Sequence, residues 1–250
     1  LRHATDVGCR GDGRGIVGPP GHDGRVGQEQ ARDEPLLVRR GLAVRATIDP
    51  RLQLAAQGAV GSVITSPDDP AAAMVSVDDS GKIRALIGGQ NHDASQVNLA
   101  LGKEGGGSGR APGSTFKPIA LAEYVSEGNS IKSKLWAPKQ LTFPRADDGN
   151  DWVVDNYEEE DFGETTVENA TWHSANTAYA QIMKTITPSK FAEMALRLGI
   201  RSEVRQVQSS VLGTSEVSVL DLTAAYSTFA NHGVLKRPYV IRRVEASDGS

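Results

Sequence analysis

The stretch APGSTFKPIA, residues 111–120, decides how this sequence is interpreted. Its first proline and glycine predict a break in regular structure, after which Ser114 is a suitable first residue for a helix. Pro118 then falls in the first turn or just beyond it, where its missing N–H is tolerated. On such a helix Ser114 and Lys117 are three positions apart and share one face. The stretch therefore predicts a hydroxyl and an amine held side by side.

A serine and a lysine placed in this way are candidates for nucleophilic catalysis. A serine hydroxyl is a weak nucleophile until a base takes its proton. A lysine can be that base only if desolvation or a nearby cation lowers its pKa. The start of a helix also directs free N–H groups toward an oxyanion that forms nearby. Alone, however, an S-x-x-K pattern is expected about once by chance in a chain of this length, as a capping serine beside a surface lysine.

A second motif raises this pattern above chance. Ser174, Ala175 and Asn176 form the only S-x-N in the sequence, and residues 114–117 form its only S-x-x-K. The two motifs in this order are the signature of penicillin-interacting serine enzymes.

Composition and charge are those of an ordinary soluble globular protein. The chain has 250 residues, of which 38% are hydrophobic and 23% charged, enough for a substantial core. Its net charge of −4 argues against a nucleic-acid partner, because phosphate binding requires a basic surface. The single cysteine, Cys9, cannot form an intrachain disulfide. No apolar run approaches the roughly 18 residues of a membrane span, and no signal peptide begins the stretch.

Residues 1–36 differ from the rest of the chain. They are rich in glycine, arginine and aspartate and poor in large apolar side chains, so they are predicted to be disordered. They contain GRGIVG (13–18), but a dinucleotide site needs a strand before such a turn and a helix after it, and the flanks offer neither. We reject that motif. The segment is interpreted either as a flexible linker or as a frame-shifted translation.

From residue 37 onward the pattern predicts an α+β fold, an antiparallel sheet with packed helices. A strand before residue 49 is followed by a helix capped by Asp49 that begins at Pro50. A β-hairpin is predicted over 72–89 with its turn at 78–81. The remaining predictions are an uninterrupted helix over 165–186, a helix from Pro188 to Gly199, a helix from a capping box at Ser218 and Asp221 to Gly233, and a strand over 239–246.

RAPGSTFKP (110–118) resembles the nucleophile motif of class A penicillin-binding proteins, which are bacterial cell-wall enzymes. Further segments resemble the same family over residues 37–250, and they are GLAVRATIDPRLQLAA (41–56), VSVDDSGKIRALIGG (75–89), DNYEEEDFGETTVENATWHSANTAYAQI (155–182) and VLGTSEVSVLDLTAAYSTFANHG (211–233). The resemblance implies a partial penicillin-binding transpeptidase domain with the fold shared by serine β-lactamases. The K-[ST]-G motif of the family is absent from the sequence, which we interpret as truncation. Residues 1–36 match neither a glycosyltransferase domain nor its linker.

The resemblance implies a role for each motif residue. Ser114 would attack the bond between the terminal D-alanines of a peptidoglycan stem peptide and form an acyl-enzyme, with Lys117 as the base. Ser174 would relay a proton to the leaving amine. Asn176 would bind the substrate backbone and hold Lys117. β-Lactam antibiotics would acylate Ser114, and no metal or cofactor is implied.

The resemblance also implies a place of action and leaves alternatives. It places the domain at the extracytoplasmic face of the bacterial membrane, with any anchor in a missing N-terminal part. A β-lactamase or a β-lactam sensor of the same fold is an alternative, although the E-x-x-L-N segment of class A β-lactamases is absent; the nearest segment, EMALR (193–197), lacks the asparagine. A non-catalytic domain that binds the cell wall is a further alternative, which the presence of Ser114 and Lys117 disfavours.

Other residues near the motifs are interpreted as structural. His173 is adjacent to Ser174, but neighbouring residues on a helix point about 100° apart and cannot face each other. Trp152 and Tyr157 are expected to pack under a loop rather than to line a cleft. The acidic run 158–161 is expected to be a solvated face.

Overall fold

The structure, a computed structural model, describes residues 42–66, 68–147 and 149–246. The predictions for residues 1–36, including the rejected glycine motif, lie outside these ranges. None of the helices within the described ranges is long and apolar enough to cross a membrane.

Eight strands and six α-helices make up the described chain. The strands are β1 (Ala43–Ala46), β2 (Met74–Val77), β3 (Ile83–Ile87), β4 (Lys134–Ala137), β5 (Gln140–Asp147), β6 (Asn150–Asp155), β7 (Gly163–Thr166) and β8 (Ile241–Glu245). The helices are α1 (Pro50–Val63), α2 (Lys117–Ser126), α3 (Val167–Trp172), α4 (Asn176–Ile186), α5 (Pro188–Leu198) and α6 (Val219–Ala230). Short 3-10 turns cover Leu99–Gly105, Gly113–Phe116, Tyr157–Glu159 and Gln208–Leu212.

The strands form four antiparallel pairs, so the predicted α+β class with an antiparallel sheet is confirmed. The pairs are β1 with β8, β2 with β3, β4 with β7, and β5 with β6. The predicted hairpin is the β2–β3 pair. Its second strand adjoins the β1–β8 pair, because the N–H of Ile83 donates to the carbonyl of Tyr239 at 3.0 Å. The ends of the described chain therefore meet beside the hairpin.

The predicted start of α1 and the predicted end of α5 are confirmed. The carboxylate of Asp49 accepts the N–H groups of Arg51 and Leu52, and Pro50 occupies the first position of α1. Helix α5 ends at Gly199, whose φ of 113° lies in the left-handed region.

The main core lies among α2, α4 and α5. Its members include the fully buried Phe116, Ile119, Tyr179, Ile182 and Phe191. The rings of Phe116 and Phe191 meet edge to face with centroids 5.8 Å apart. Because Phe116 directly precedes α2, this contact anchors the beginning of the helix in the core.

The prediction of one helix over 165–186 is wrong. Residues Gly163–Thr166 pair with β4 as a strand, and Thr166 then caps α3 by accepting the N–H of Asn169 at 3.1 Å. Helix α3 stops at Trp172, and α4 begins only at Asn176. The break between them carries the S-x-N motif, and no glycine or proline marks it in the sequence.

The remaining predictions have mixed outcomes. Ser218 caps α6 by accepting the N–H of Asp221 at 3.0 Å, but the carboxylate of Asp221 binds Ser202 instead of returning to residue 218, and α6 ends at Ala230. The solvated acidic run 158–161 is confirmed. Trp152 packs on Phe143 at a centroid distance of 5.3 Å, as expected. Tyr157 was expected to be packed and is 79% exposed.

Candidate active site

The amine of Lys117 is the centre of the candidate site. Its Nζ lies 3.1 Å from Ser114 Oγ, 2.9 Å from Ser174 Oγ, 2.5 Å from the carbonyl oxygen of Ser174 and 2.6 Å from Asn176 Oδ1. The structure therefore brings together all four residues that the two motifs singled out, although Ser114 and Asn176 lie 62 positions apart along the chain.

Lys117 is buried without an acidic partner among the described residues. Its exposure is only 3%, and it takes part in no salt bridge within the described ranges. Burial disfavours the charged form and lowers the pKa of Lys117 from its ordinary 10.5 to about 8. The ring of Tyr179 has its centroid 5.5 Å from Nζ. The protein thus meets the requirement that a lysine base must be partly desolvated.

A neutral amine can satisfy the contacts that Lys117 makes. A neutral amine has two N–H donors and one lone pair, whereas an ammonium has three donors and no acceptor. The carbonyl oxygen of Ser174 and Oδ1 of Asn176 can only accept, so they would take both N–H groups of a neutral amine. The lone pair is then left for a proton from one of the two serine hydroxyls. This arrangement can remove a proton from Ser114 without moving any heavy atom.

The turn before α2 presents Ser114 to solvent while its neighbours hold it. Ser114 is exposed, whereas Phe116 and Lys117 are buried. The predicted helix start is thus a 3-10 turn over Gly113–Phe116, in which the N–H of Lys117 donates to the carbonyl of Ser114. Pro118 lies in the first turn of α2, as predicted. The nucleophile candidate is therefore accessible while the base candidate is shielded.

A second glycine, missed by the sequence analysis, closes against this turn. The backbone of Gly213 touches the backbone of Gly113, and a Cβ on Gly213 would overlap the nitrogen and oxygen of Gly113. The φ of Gly213 is also 75°, a value that favours glycine. Nearby, Arg110 and Val217 exchange two backbone hydrogen bonds of 2.9 and 3.1 Å. The segment 213–217 therefore fixes the approach to Ser114.

Ser174 occupies a left-handed backbone position that ends α3. Its φ is 55°, its N–H donates to the carbonyl of Thr171, and the next N–H, that of Ala175, donates to the carbonyl of Ala170. This is the Schellman ending of a helix, in which the left-handed residue is usually glycine. A serine here is strained, and the strain directs both its hydroxyl and its carbonyl oxygen to Lys117.

Asn176 begins α4 and is oriented by a distant segment. Its Nδ2 donates to the carbonyl of Asp155 at 2.8 Å, which leaves Oδ1 directed at Lys117. The helix has no capping side chain at residue 175. Instead, Oδ1 of the buried Asn156 accepts the N–H of Thr177 at 3.0 Å. The loop after β6 thus fixes the start of α4. Local sequence rules cannot reveal this contact, because its two residues are far apart in the chain.

The structure does not bring His173 to the site. Its Nδ1 lies 2.9 Å from the carbonyl oxygen of Asn169, and its ring packs against Phe162. These contacts agree with the interpretation of His173 as a structural residue. That interpretation placed Ser174 on a helix, whereas its backbone is left-handed. Within the described ranges no three His, Cys, Asp or Glu side chains form a cluster suited to a metal ion.

Comparison with known proteins identifies the family. The family described as "Penicillin binding protein transpeptidase domain" matches residues 71–249. Penicillin-binding protein 1A of Aquifex aeolicus is 32% identical over 177 residues, which are 70% of this chain and 23% of that protein. Penicillin-binding protein 1A of Mycobacterium tuberculosis is 30% identical over 235 residues, which are 87% of this chain and 27% of that protein. The chain thus spans about a quarter of the length of these relatives.

Solved structures agree with the sequence matches. The structure of the PonA1 protein from Mycobacterium tuberculosis in complex with penicillin V superposes with a TM-score of 0.75 at 30% identity, covering 90% of this chain and 61% of that one. An imipenem acyl-enzyme complex of penicillin-binding protein A from the same organism superposes with a TM-score of 0.69, and its 23% identity shows the fold alone. The chain therefore belongs to the penicillin-binding protein transpeptidase domain family. Within it, the chain is similar to penicillin-binding proteins 1A.

Proposed function

We propose that this domain is a serine D,D-transpeptidase that cross-links peptidoglycan stem peptides through an acyl-enzyme on Ser114. The observation that carries the proposal is the buried amine of Lys117, hydrogen-bonded at once to the hydroxyls of Ser114 and Ser174. A base between two hydroxyls can take a proton from the attacking group and return one to the leaving group, which acyl transfer requires.

In the proposed reaction, Ser114 Oγ attacks the carbonyl of the penultimate D-alanine while its proton passes to Lys117. The tetrahedral intermediate collapses with cleavage of the C–N bond, and the amine of the terminal D-alanine receives a proton through the Ser174 hydroxyl. An amine from a neighbouring stem peptide then attacks the ester and restores the Ser114 hydroxyl. Asn176 holds Lys117 through Oδ1. One hydrogen of its Nδ2 is donated to the carbonyl of Asp155, and the other binds the substrate backbone.

The same chemistry accounts for binding of β-lactam antibiotics, which we also propose for this chain. The ring amide is opened by Ser114, and the leaving amine stays tethered to the acyl group and blocks the acceptor. The structure of one relative, the PonA1 protein from Mycobacterium tuberculosis, was solved in complex with penicillin V. Because the substrate is cell-wall peptide, we further propose that the domain acts on the outer side of the bacterial membrane and is carried by a membrane anchor in another part of the protein.

Labelling with penicillin tests the proposal directly. We expect the full-length protein to take up one fluorescent penicillin, with the adduct mass on the peptide that contains residues 111–120. Ser114→Ala should abolish labelling, whereas Ser62→Ala, at an exposed serine of α1, should leave it unchanged. Persistent labelling of Ser114→Ala would refute the nucleophile. Rapid release of the adduct as hydrolysed penicillin would favour a β-lactamase instead.

We also propose that residues 37–250 alone react poorly with penicillin. The sequence contains no K-[ST]-G motif, which in the family supplies a cation for the substrate carboxylate and a second oxyanion donor. Loss of one oxyanion donor costs about 10²–10³ in rate. Acylation of this polypeptide and of the full-length protein should be compared, and equal rates would refute the proposal.

A further inference from the structure

Tyr226 on α6 contacts the backbone directly after the candidate nucleophile. Its hydroxyl donates to the carbonyl of Thr115 at 2.8 Å, across 111 positions of the chain. The ring packs edge to face on Phe229, with centroids 5.9 Å apart. Neither the S-x-x-K motif nor the S-x-N motif includes this residue. We propose that Tyr226 is a positioning residue that holds the Ser114 turn for acylation, an inference that rests on the proposed function of that turn.

Pro118 removes one local donor from the carbonyl of Thr115. In a 3-10 turn this oxygen would accept from the residue three positions later, and that residue is Pro118, which has no N–H. The Tyr226 hydroxyl supplies a donor to this oxygen from another helix. The proline thus leaves this carbonyl without a 3-10 donor, and the Tyr226 hydroxyl bonds it from α6.

The bond orients the peptide plane between Thr115 and Phe116. That plane lies between the exposed Ser114 and the buried Phe116, so its rotation would move the nucleophile relative to the core. Gly213 restrains the other side of the turn through its contact with Gly113. Ser114 is therefore held by the core, by the glycine contact and by Tyr226.

The Tyr226 hydroxyl stays a donor over the pH range in which Lys117 titrates. Burial raises the pKa of the phenol above its usual value of 10. The Thr115 carbonyl and the Phe229 ring face the Tyr226 hydroxyl. The phenol of Tyr179 is also close, because charge on Tyr226 raises the pKa of Tyr179. Loss of the Tyr226 hydroxyl should consequently slow acylation without changing its pH midpoint.

The test compares Tyr226→Phe with Tyr239→Phe in the full-length protein. The two tyrosines are matched in exposure, 39% and 38%, and the Tyr239 hydroxyl makes no hydrogen bond within the described part of the chain. In Tyr226→Phe, the penicillin acylation rate constant should fall about threefold to tenfold, the equivalent of one net hydrogen bond. Non-covalent affinity and the pH midpoint should stay unchanged. Tyr239→Phe should acylate like wild type.

Hydrogen exchange gives a readout that does not depend on catalysis. Amides in the peptide 111–119 should exchange faster in Tyr226→Phe, while those of the hairpin 74–87 should not. Unchanged exchange at 111–119, or faster exchange with an acylation rate within twofold of wild type, would overturn the inference. A shifted pH midpoint would also overturn it, since Tyr226 would then act on Lys117. Failure of the wild type to label would refute the proposed function, and the exchange data would still decide whether Tyr226 holds the turn.

Discussion

Ser174 presents two oxygen atoms to the amine of Lys117, its carbonyl at 2.5 Å and its hydroxyl at 2.9 Å. A serine in ordinary helical or extended backbone directs its carbonyl and its side chain apart. The left-handed φ of 55° brings both to one side. The geometry of the site therefore depends on a backbone conformation that serine adopts only under strain.

Substituting glycine and alanine at position 174 should separate the effect of backbone strain on stability from the effect of the lost hydroxyl on acylation. Both substitutions remove the hydroxyl, so both should slow acylation to a similar extent. Glycine tolerates the left-handed conformation, whereas alanine pays about 1–2 kcal/mol for it. Ser174→Gly should therefore unfold in urea with a free energy about 1 kcal/mol higher than that of Ser174→Ala.

The same pair of substitutions at Ser62 provides the control. That residue lies in the last turn of helix α1, where alanine is still favoured over glycine, so the order of stability should reverse. If Ser174→Ala proved as stable as Ser174→Gly, position 174 would not be left-handed in solution.

Replacing Lys117 by arginine should remove the base while retaining a positive charge. A guanidinium keeps its proton at any pH at which the protein is folded, so it cannot accept the proton of Ser114. Stopped-flow acylation by penicillin should slow by about 10²–10⁴-fold, the usual span for a general base. Lys132→Arg, at an exposed lysine, should have no effect. Near-normal acylation by the Lys117 variant would mean that the residue acts only as a charge.

The pKa of Lys117 predicts how acylation depends on pH. Because the base must be neutral and its pKa is about 8, the second-order rate constant should rise with pH and level off above about pH 8. A rate that is flat from pH 6 to pH 9 would contradict this assignment.

Stability should respond to the same group. Lys117 has a pKa of about 8 in the folded protein and an ordinary value of 10.5, so the unfolded chain binds more protons between these values. The free energy of unfolding contributed by Lys117 should therefore rise with pH across that window. Urea melts at pH 7.5 and 9.5 should show a larger gain in wild type than in Lys117→Met. Equal gains would mean that burial does not shift the pKa.

The sequence is enough to locate the two motifs of the candidate site but not all the contacts that assemble them. The pairing of Ser114 with Lys117 follows from helical spacing, and the hairpin and the Asp49 cap follow from local turn chemistry. The break before Asn176 could not be predicted, because its left-handed residue is serine rather than glycine. The cap from Asn156 and the bond from Tyr226 come from segments distant in sequence, so no local pattern encodes them.

Gly213→Ala should damage both the stability of the domain and the reactivity of Ser114. The added Cβ would meet the backbone of Gly113, which cannot yield as a flexible side chain would, and φ at this position is 75°. Gly233→Ala is the matched control, because its φ of 82° imposes the same backbone strain while no atom lies within 4 Å of the new Cβ. The control should lose about 1 kcal/mol of unfolding free energy. Gly213→Ala should lose a further 1–3 kcal/mol, roughly the cost of overpacking.

Because the displaced backbone leads directly into Ser114, penicillin acylation should also slow in Gly213→Ala and not in Gly233→Ala. If both variants lost the same stability and acylated alike, the contact between the two glycines would not hold the Ser114 turn.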